Sequence, residues 1–278
     1  MKTLVENGEI QALETRLLLQ AIYERYGYDY RNYAPGSLRR RVHKCMEEEH
    51  LGGISQLQER VLRDPDCMTR LLLNLSINVS DMFRDPEFYA ALRTKVLPLL
   101  RTYPFVRIWL AGCSTGEEVY SIAILLQEEG LYKKSRIFAT DMNEVVLQKA
   151  KEGIFPLGRM QQYTKNYLAA GGKGSFSDYY TAKYDNAIFR PDLRKNVVFA
   201  QHNLASDQVF NEFNLILCRN VMIYFDKELQ GRVYGLFHQS LCMFGFLGLG
   251  SKETMRFSPH ERCYEELDHK WKLYKRIK

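Results

Sequence analysis

The sequence has no C-x-x-C pair, no apolar run long enough to cross a bilayer and no G-x-x-x-x-G-K-[ST] turn. Each absence removes a class of protein. Six cysteines, Cys45, Cys67, Cys113, Cys218, Cys242 and Cys263, lie scattered over 278 residues with no adjacent Cys/His cluster. No metal site is therefore expected, and the thiols read as reduced core residues of a cytoplasmic protein. The start of the chain, Met-Lys-Thr-Leu-Val-Glu-Asn-Gly-Glu, has no apolar core of signal-peptide length. The longest apolar-like run, Leu241 to Leu249, falls far short of the ~20 residues that span a bilayer, so no direct membrane insertion is expected. A formal net charge of +6 is too mild to specify nucleic acid. The basic residues also lack interleaved aromatics and a reading-helix motif.

What is present is ordinary globular composition, 46% hydrophobic and 26% charged, in a chain long enough for one large or two ordinary domains. Residues 1–100 read as an all-helical domain. Ala12 to Tyr26 is amphipathic and runs into Gly27. Ser37 is placed to cap a second helix with Leu38, Val42, Cys45 and Met46 as its apolar stripe. Its other face carries Arg39, Arg40, Arg41 and Lys44, either a solvated face neutralised through Glu47 and Glu48 or a docking surface for an acidic helix. Ile54 to Leu62 and Met68 to Leu75 give two more helical faces. Asp85-Pro86 reads as a cap and first turn of a helix through Phe88, Leu92 and Val96. Ahead of it, Asn78, Ser80, Asp81 and Arg84 form a polar segment, either a plain interdomain turn or a lid offering a guanidinium to a ligand carboxylate.

From Val106 the pattern changes to strand–helix alternation, so residues 101–278 read as an α/β domain. Val106 to Ala111 is a buried strand, Gly112 to Gly116 a small-residue turn, and Glu117 opens a helix with Val119, Ile122, Ala123 and Leu126 at i, i+3, i+4 and i+7. This is how an α/β sheet builds a ligand crevice. The turn lacks a complete G-x-G-x-x-G, and Glu117 with Glu118 would repel a pyrophosphate at the helix N-terminus. A ligand with a cationic end, such as S-adenosylmethionine, fits better; the alternative is that both acids simply complement the helix dipole. Asp141 ends a second strand at the spacing of a ribose-binding acid. Residues 154–200 break the rhythm with a flexible Ala169-Ala-Gly-Gly turn and a tyrosine-rich stretch that reads as a small inserted β-subdomain. Asn196 to Leu204 and Phe213 to Cys218 read as core strands leading to His202, Asn203, Arg219 and Asn220. Leu229 to Phe244 reads as a helix, Gly245 to Gly250 as a strand, and Trp271, Leu273 and Ile277 as a last strand.

Five segments together resemble the CheR-type chemotaxis receptor methyltransferases: Asn78-Val-Ser-x-x-Phe-Arg-Asp, Trp-x-Ala-Gly-Cys-Ser-Thr-Gly-Glu-Glu-x-Tyr-Ser-Ile-Ala, Ala-Thr-Asp141, His-Asn-Leu204 and Cys-Arg-Asn-Val-Met-Ile-Tyr-Phe-Asp226. The likeness runs from about Tyr30 to the C-terminus. It implies a helical N-terminal domain, a Rossmann-like methyltransferase domain with its insertion, and methyl transfer from S-adenosylmethionine to receptor glutamates, leaving S-adenosylhomocysteine. Carried over, the cofactor contacts are Asn78, Ser80, Arg84, Glu117, Asp141, Asn203 with Leu204, and Asn220 with Val221. Arg84 would hold the cofactor and orient the site, and Tyr224 would wall the acceptor pocket. The helix bearing Arg39, Arg40, Arg41 and Lys44 would contact the acceptor, a chemoreceptor or another coiled-coil signalling protein. A monomer is expected. The long, tyrosine-rich insertion departs from the form associated with binding a receptor's peptide tether, and Lys252-Glu253 stands where many members have Ser-Glu. The rival readings are a non-catalytic cofactor-sensing or docking module, and a methyltransferase with a non-protein acceptor.

Overall fold

The computed structural model describes residues 2–76 and 80–278. Asn78, one of the expected cofactor contacts, lies outside the described residues. The chain forms two compact units. One comprises Met1–Asn78, Ala205–Asp207 and Tyr224–Arg232; the other comprises Val79–Leu204, Gln208–Ile223 and Val233–Lys278.

The first unit holds helices α1 (Lys2–Tyr26), α2 (Pro35–Glu48), α3 (Ile54–Arg63) and α4 (Pro65–Leu75). The stripe Leu38, Val42, Cys45 and Met46 is buried, as its spacing predicts. Ser37 is not the cap of α2. The helix opens earlier, at Pro35, with no side-chain cap on the preceding Ala34, because a proline with its φ preset suits the first turn. Asp64 caps α4, accepting from the Asp66 N–H at 2.9 Å. Arg70 and Arg60 converge on the buried Glu49, and their charge holds its carboxyl below the usual range.

In the second unit, α5 (Pro86–Ala91) passes through a π turn, Leu92–Val96, into α6 (Leu97–Leu100). Pro98 explains the turn. It has no N–H to donate and its ring would clash with the carbonyl four residues back, so the helix widens just before it. Read from the sequence with the N-terminal helices, this segment instead packs within the second unit, with Phe88, Leu92 and Val96 buried. Asp85 stands at the cap position but its side chain makes no cap hydrogen bond; the residue is left-handed at φ 56° and its carboxylate turns to Arg219.

Then follow β1 (Val106–Ala111), α7 (Glu117–Glu128), β2 (Ser135–Asp141), α8 (Glu144–Glu152), β3 (Ile154–Pro156), α9 (Met160–Ala169), β4 (Tyr180–Lys183), β5 (Asn186–Phe189), β6 (Val197–Gln201), β7 (Phe213–Cys218), α10 (Lys227–Ser240), β8 (Leu241–Leu249), β9 (Tyr264–Asp268) and β10 (Leu273–Arg276). The main sheet has seven strands in the order β6-β2-β1-β7-β8-β10-β9. β6, β2, β1, β7 and β8 run parallel; β10 is antiparallel to both β8 and β9. After β1 the chain moves to β2 on one side and later to β7 on the other. The carboxyl ends of β1 and β7 thus form the topological switch point where such sheets bind ligands.

Two boundaries differ from the sequence reading. The helix expected to reach Phe244 stops at Ser240, and β8 starts at once with Leu241. The run Leu-Cys-Met-Phe-Gly-Phe-Leu-Gly-Leu is apolar throughout, so periodicity cannot separate helix from strand there. β9 was not foreseen, because Tyr-Glu-Glu-Leu-Asp shows little apolar alternation.

The insertion is a three-stranded antiparallel sheet, β3-β5-β4, with α9 attached. Most of its aromatics build a core, while Tyr184 stands exposed on the surface. Tyr163, Tyr167, Phe176 and Phe189 are all buried, with Tyr167 and Phe176 ring centroids 5.3 Å apart. The glycine turn after α9 is pressed onto this core. A Cβ at Gly172 would meet the Tyr167 ring at 2.3 Å.

Candidate cofactor crevice

The crevice grows from the turn after β1. Gly112 is left-handed at φ 78°, and a Cβ there would lie 2.5 Å from the Val221 side chain. Gly116, at φ 97°, meets α8 equally closely, with Ala150 2.9 Å from its missing Cβ. Only glycine fits either place. The N–H groups of Gly112 and Cys113 both donate to the Thr140 carbonyl, at 2.8 and 2.9 Å. The turn therefore hangs from the end of β2.

Asp141 completes that suspension. Its Oδ2 accepts from the Ser114 N–H at 2.9 Å and its Oδ1 from the Asn143 N–H at 3.0 Å. Burial raises its pKa, and the backbone donors oppose the rise. The expected ribose acceptor is thus also the residue that shapes the turn. Asn143 then caps α8 through the Val145 N–H, 3.0 Å away.

Glu117 begins α7 with only 7% of its surface exposed. Thr115 Oγ1 donates to its Oε2 at 2.6 Å. Burial pushes its pKa up, and among the described residues no lysine or arginine forms an ion pair with it. Glu118 is different. Its Oε1 accepts from Arg219 Nη1 at 2.8 Å. Arg219, at the end of β7, also donates from Nη2 to Asp85 Oδ2 at 2.8 Å and to the Arg84 carbonyl at 2.9 Å. Its guanidinium lies 4.0 Å over the Phe88 ring. The adjacent acids therefore do different work: Glu118 is held by a buried arginine, while Glu117 faces none.

Arg219 fixes the backbone of the Arg84 segment against α7 and β7. The Phe83 N–H donates to Ser121 Oγ at 2.9 Å, and Asn166 Nδ2 donates to the Met82 carbonyl at 2.9 Å. Arg159 pairs with Asp81. The segment is anchored at four places, with Ser80 and Arg84 half-buried in it.

Beyond β7, Asn220 is left-handed at φ 60°. The N–H groups of Asn220, Val221 and Met222 donate to Glu253 at 3.0, 2.9 and 2.8 Å, and Gly250 adds a fourth at 2.6 Å. In the pair Lys252-Glu253, which stands where many members have Ser-Glu, the departure is Lys252, and Glu253 keeps the family's acid. The structure gives Glu253 its role, a carboxylate wholly turned to backbone donors that holds the Asn220–Met222 turn. Asn203 and Leu204 follow β6 at the same sheet edge, half-buried and buried respectively. His202 beside them is committed elsewhere: its ring packs edge-on to Trp109 at 5.2 Å, and Nε2 lies 3.3 Å from the Gln208 carbonyl.

So β1, β2, β6 and β7 bring Glu117, Asp141, Asn203, Leu204, Asn220 and Val221 to one edge of the second unit, with Ser80 and Arg84 in a segment tied to α7 and β7. Tyr224 belongs to the first unit, where the Arg41 guanidinium lies 4.8 Å from its ring centroid. Arg41 is only 7% exposed and donates to the Leu75 carbonyl, so it does not share the open face of Arg39, Arg40 and Lys44. Lys44 stands 3.6 Å from Glu48. Arg219 and Glu253 both stand in segments that the sequence marked, but their partners could not be read from it, those of Arg219 lying up to 135 residues away.

The sheet order and this crevice define an S-adenosylmethionine-dependent methyltransferase of Rossmann-like fold. Residues 78–272 match the family described as CheR methyltransferase, SAM binding domain, and residues 13–76 match CheR methyltransferase, all-alpha domain. The chain belongs to the CheR methyltransferase family. It is 51% identical to Cher3 of Pseudomonas putida over 95% of this chain and 97% of that one. It is 32% identical to chemotaxis protein methyltransferase 2 of Pseudomonas aeruginosa, over 76% and 75%. With the chemotaxis protein methyltransferase of Listeria monocytogenes the identity is 28%, over 82% and 85%. The residues present fit the cofactor: a buried acid with no ion pair among the described residues suits a ligand with a cationic end, and Gly112 and Gly116 let the turn beside it pack tightly against Val221 and α8.

Proposed function

We propose that this methyltransferase esterifies glutamate side chains on a chemoreceptor or another coiled-coil signalling protein. The names of the relatives from Pseudomonas aeruginosa and Listeria monocytogenes support a role in chemotaxis. The observation that carries the acceptor class is the engagement of His202. Its ring is buried against Trp109, with Nε2 3.3 Å from the Gln208 carbonyl and Nδ1 enclosed, which supports a reaction that does not use it as a general base. A glutamate carboxylate is already ionised at pH 7 and needs none.

The bound cofactor supplies an electrophilic methyl group on a sulfonium. The chain's own residues bind, orient and exclude water. Glu117 meets the cationic or hydroxyl groups of the ligand, Asp141 the ribose, and Asn203, Leu204, Asn220 and Val221 line the far side. Ser80 and Arg84 serve from the segment tied to α7 and β7, with Arg84 offered to a ligand carboxylate, and Asn78 is kept as a contact that the family resemblance implies. Arg39, Arg40 and Lys44 offer an acidic acceptor helix a positive face.

The test is transfer of labelled methyl from S-adenosylmethionine to purified receptor signalling domains. Base-labile label on glutamate supports the reading. Tight cofactor binding without transfer points to a sensing module, and label on RNA, DNA or metabolites alone points to another acceptor.

A further inference from the structure

We propose that His238, His260 and Cys263 form a binding site for a borderline-soft divalent metal of the zinc class, at the sheet edge opposite the cofactor crevice. One ligand atom from each of the three lies within 4.8 Å of the others. His238 comes from the last turn of α10. His260 and Cys263 flank a short 3₁₀ turn, joined by a 2.8 Å hydrogen bond from the Cys263 N–H to the His260 carbonyl. Two imidazoles and a thiol are the donor set that zinc, cobalt and nickel take, and H-x-x-C with a distant third ligand is a workable spacing.

A second observation points to a missing partner. His238 Nδ1 is buried with no hydrogen-bond partner, and so is the hydroxyl of Tyr264, whose ring centroid is 5.8 Å from that imidazole. Buried polar atoms are seldom left unpaired, and such orphans mark places where an ion or water belongs. The two imidazoles stack at 4.4 Å and 16°, an arrangement that two protonated rings would oppose. Arg276 Nη1 donates to the His238 carbonyl at 2.9 Å. Its charge opposes a cation nearby, and the Cys263 thiolate formed on binding offsets it.

Zinc bonds of about 2.0–2.3 Å require the three donors to draw closer than they stand here, which side-chain rotation on the half-exposed His260 and Cys263 allows. Three protein ligands leave a fourth position for water. The site is nevertheless remote from methyl transfer. α10 runs back against the parallel strands, so its last turn lies at the amino ends of β7 and β8, whereas Glu117, Asp141 and Asn220 lie at the carboxyl ends. The metal would tie α10 to the turn before β9 and so stiffen the antiparallel extension, β8-β10-β9.

The test uses untagged, reduced, chelator-treated full-length protein, titrated with Zn²⁺ by calorimetry and with Co²⁺ by absorption. One metal per chain, a thiolate-to-cobalt charge-transfer band and a raised melting temperature are expected. Cys263→Ser should abolish that band, and His260→Ala should weaken binding more than about tenfold, since even outer-shell partners are worth that much. Methyl transfer should persist in both variants. Should a variant fail to fold, protection of Cys263 from alkylation by Zn²⁺ in the wild-type chain answers the same question by mass spectrometry. Absence of stoichiometric binding, binding unchanged in the variants, or alkylation unaffected by Zn²⁺ would overturn the proposal.

Discussion

Arg219 and Glu118 stand 101 residues apart in sequence and 2.8 Å apart in space. The Arg219 side chain is 3% exposed and that of Glu118 is 15% exposed, so the pair is largely desolvated. Removing one partner of such a pair leaves the other charge buried and unpaired, at a cost of about 3–5 kcal/mol. Arg219→Ala should therefore lower stability by about that amount, read as a fall in the urea midpoint. Glu118→Gln, which keeps an acceptor, should cost clearly less. Equal urea midpoints for Arg219→Ala and wild type would remove Arg219 from its place as the tie between α7, β7 and the Arg84 segment.

Glu253 presents a different kind of dependence. Four backbone N–H groups converge on one carboxylate, so Glu253→Ala orphans several buried donors at about 1–3 kcal/mol each, and misfolding is the expected result. Glu253→Gln is the informative change. One amide oxygen cannot accept all four, and the Asn220–Met222 turn should loosen. Its amides should exchange with deuterium faster than in wild type, and cofactor affinity should fall about tenfold, or about 1.4 kcal/mol. Unchanged exchange in those three amides would show that Glu253 does not hold the turn.

Much of this fold was legible because local pattern and burial agree. Val119, Ile122, Ala123 and Leu126 on α7 and Leu38, Val42, Cys45 and Met46 on α2 were named from spacing and all are buried. The turn Gly112–Gly116 was legible because a buried strand, a small-residue turn and a periodic helix follow one another without a gap; that its glycines are also held by Val221 and Ala150 was not. What stayed hidden was contact at a distance. Arg41 sits among Arg39, Arg40 and Lys44 in sequence, yet the helix turns it inward to the Leu75 carbonyl, since a 3.6-residue period places position 41 beside Leu38 and Val42. His260 and Cys263 stand three apart, yet the sequence reading found no Cys/His cluster and expected no metal site, because His238 joins them only once α10 has been laid on the sheet. The boundary at Ser240 was lost because nine apolar or glycine residues carry no period at all.

The burial of Arg41 separates two effects that charge alone would merge. Arg39 and Arg40 are exposed, so Arg39→Glu with Arg40→Glu should leave stability within about 0.5 kcal/mol. Cofactor binding should also stay intact, while methylation of the protein acceptor is lost. Arg41→Ala should instead lower stability by about 1–3 kcal/mol through the Leu75 carbonyl and the Tyr224 ring. Normal turnover by the double charge reversal would refute the docking role of α2.

Gly112 couples the turn to Val221. Gly112→Ala places a methyl 2.5 Å from the valine side chain, on a backbone at φ 78°. The backbone strain costs about 1–2 kcal/mol, and the clash displaces the turn. Cofactor affinity should drop at least tenfold. Adding Val221→Ala relieves the clash but not the φ strain, so it should restore part of the affinity. Full recovery, or none, would each contradict this division.

Glu117 carries a conflict between stability and binding that pH can expose. Its pKa is raised above the ordinary 4.5 by burial, against the hydrogen bonds from Thr115 and from the backbone. A carboxyl whose folded pKa is raised binds its proton more tightly in the folded state. Its stabilising contribution is full below pH 4.5 and is lost as pH rises through the folded value. The unliganded fold therefore loses stability through the charge of this buried acid as pH rises, and among the described residues no lysine or arginine forms an ion pair with it. Glu117→Gln keeps an acceptor for the Thr115 hydroxyl and removes that charge. Without cofactor, the variant should match wild type near pH 4.5 and melt higher than wild type at pH 7. It should also bind S-adenosylmethionine at least tenfold more weakly, a loss of about 1.4 kcal/mol, because the ligand's cationic end no longer meets a carboxylate. Melting curves across pH and calorimetry with the cofactor measure the two effects separately. A variant that binds as well as wild type would return Glu117 to the role of a helix-dipole acid.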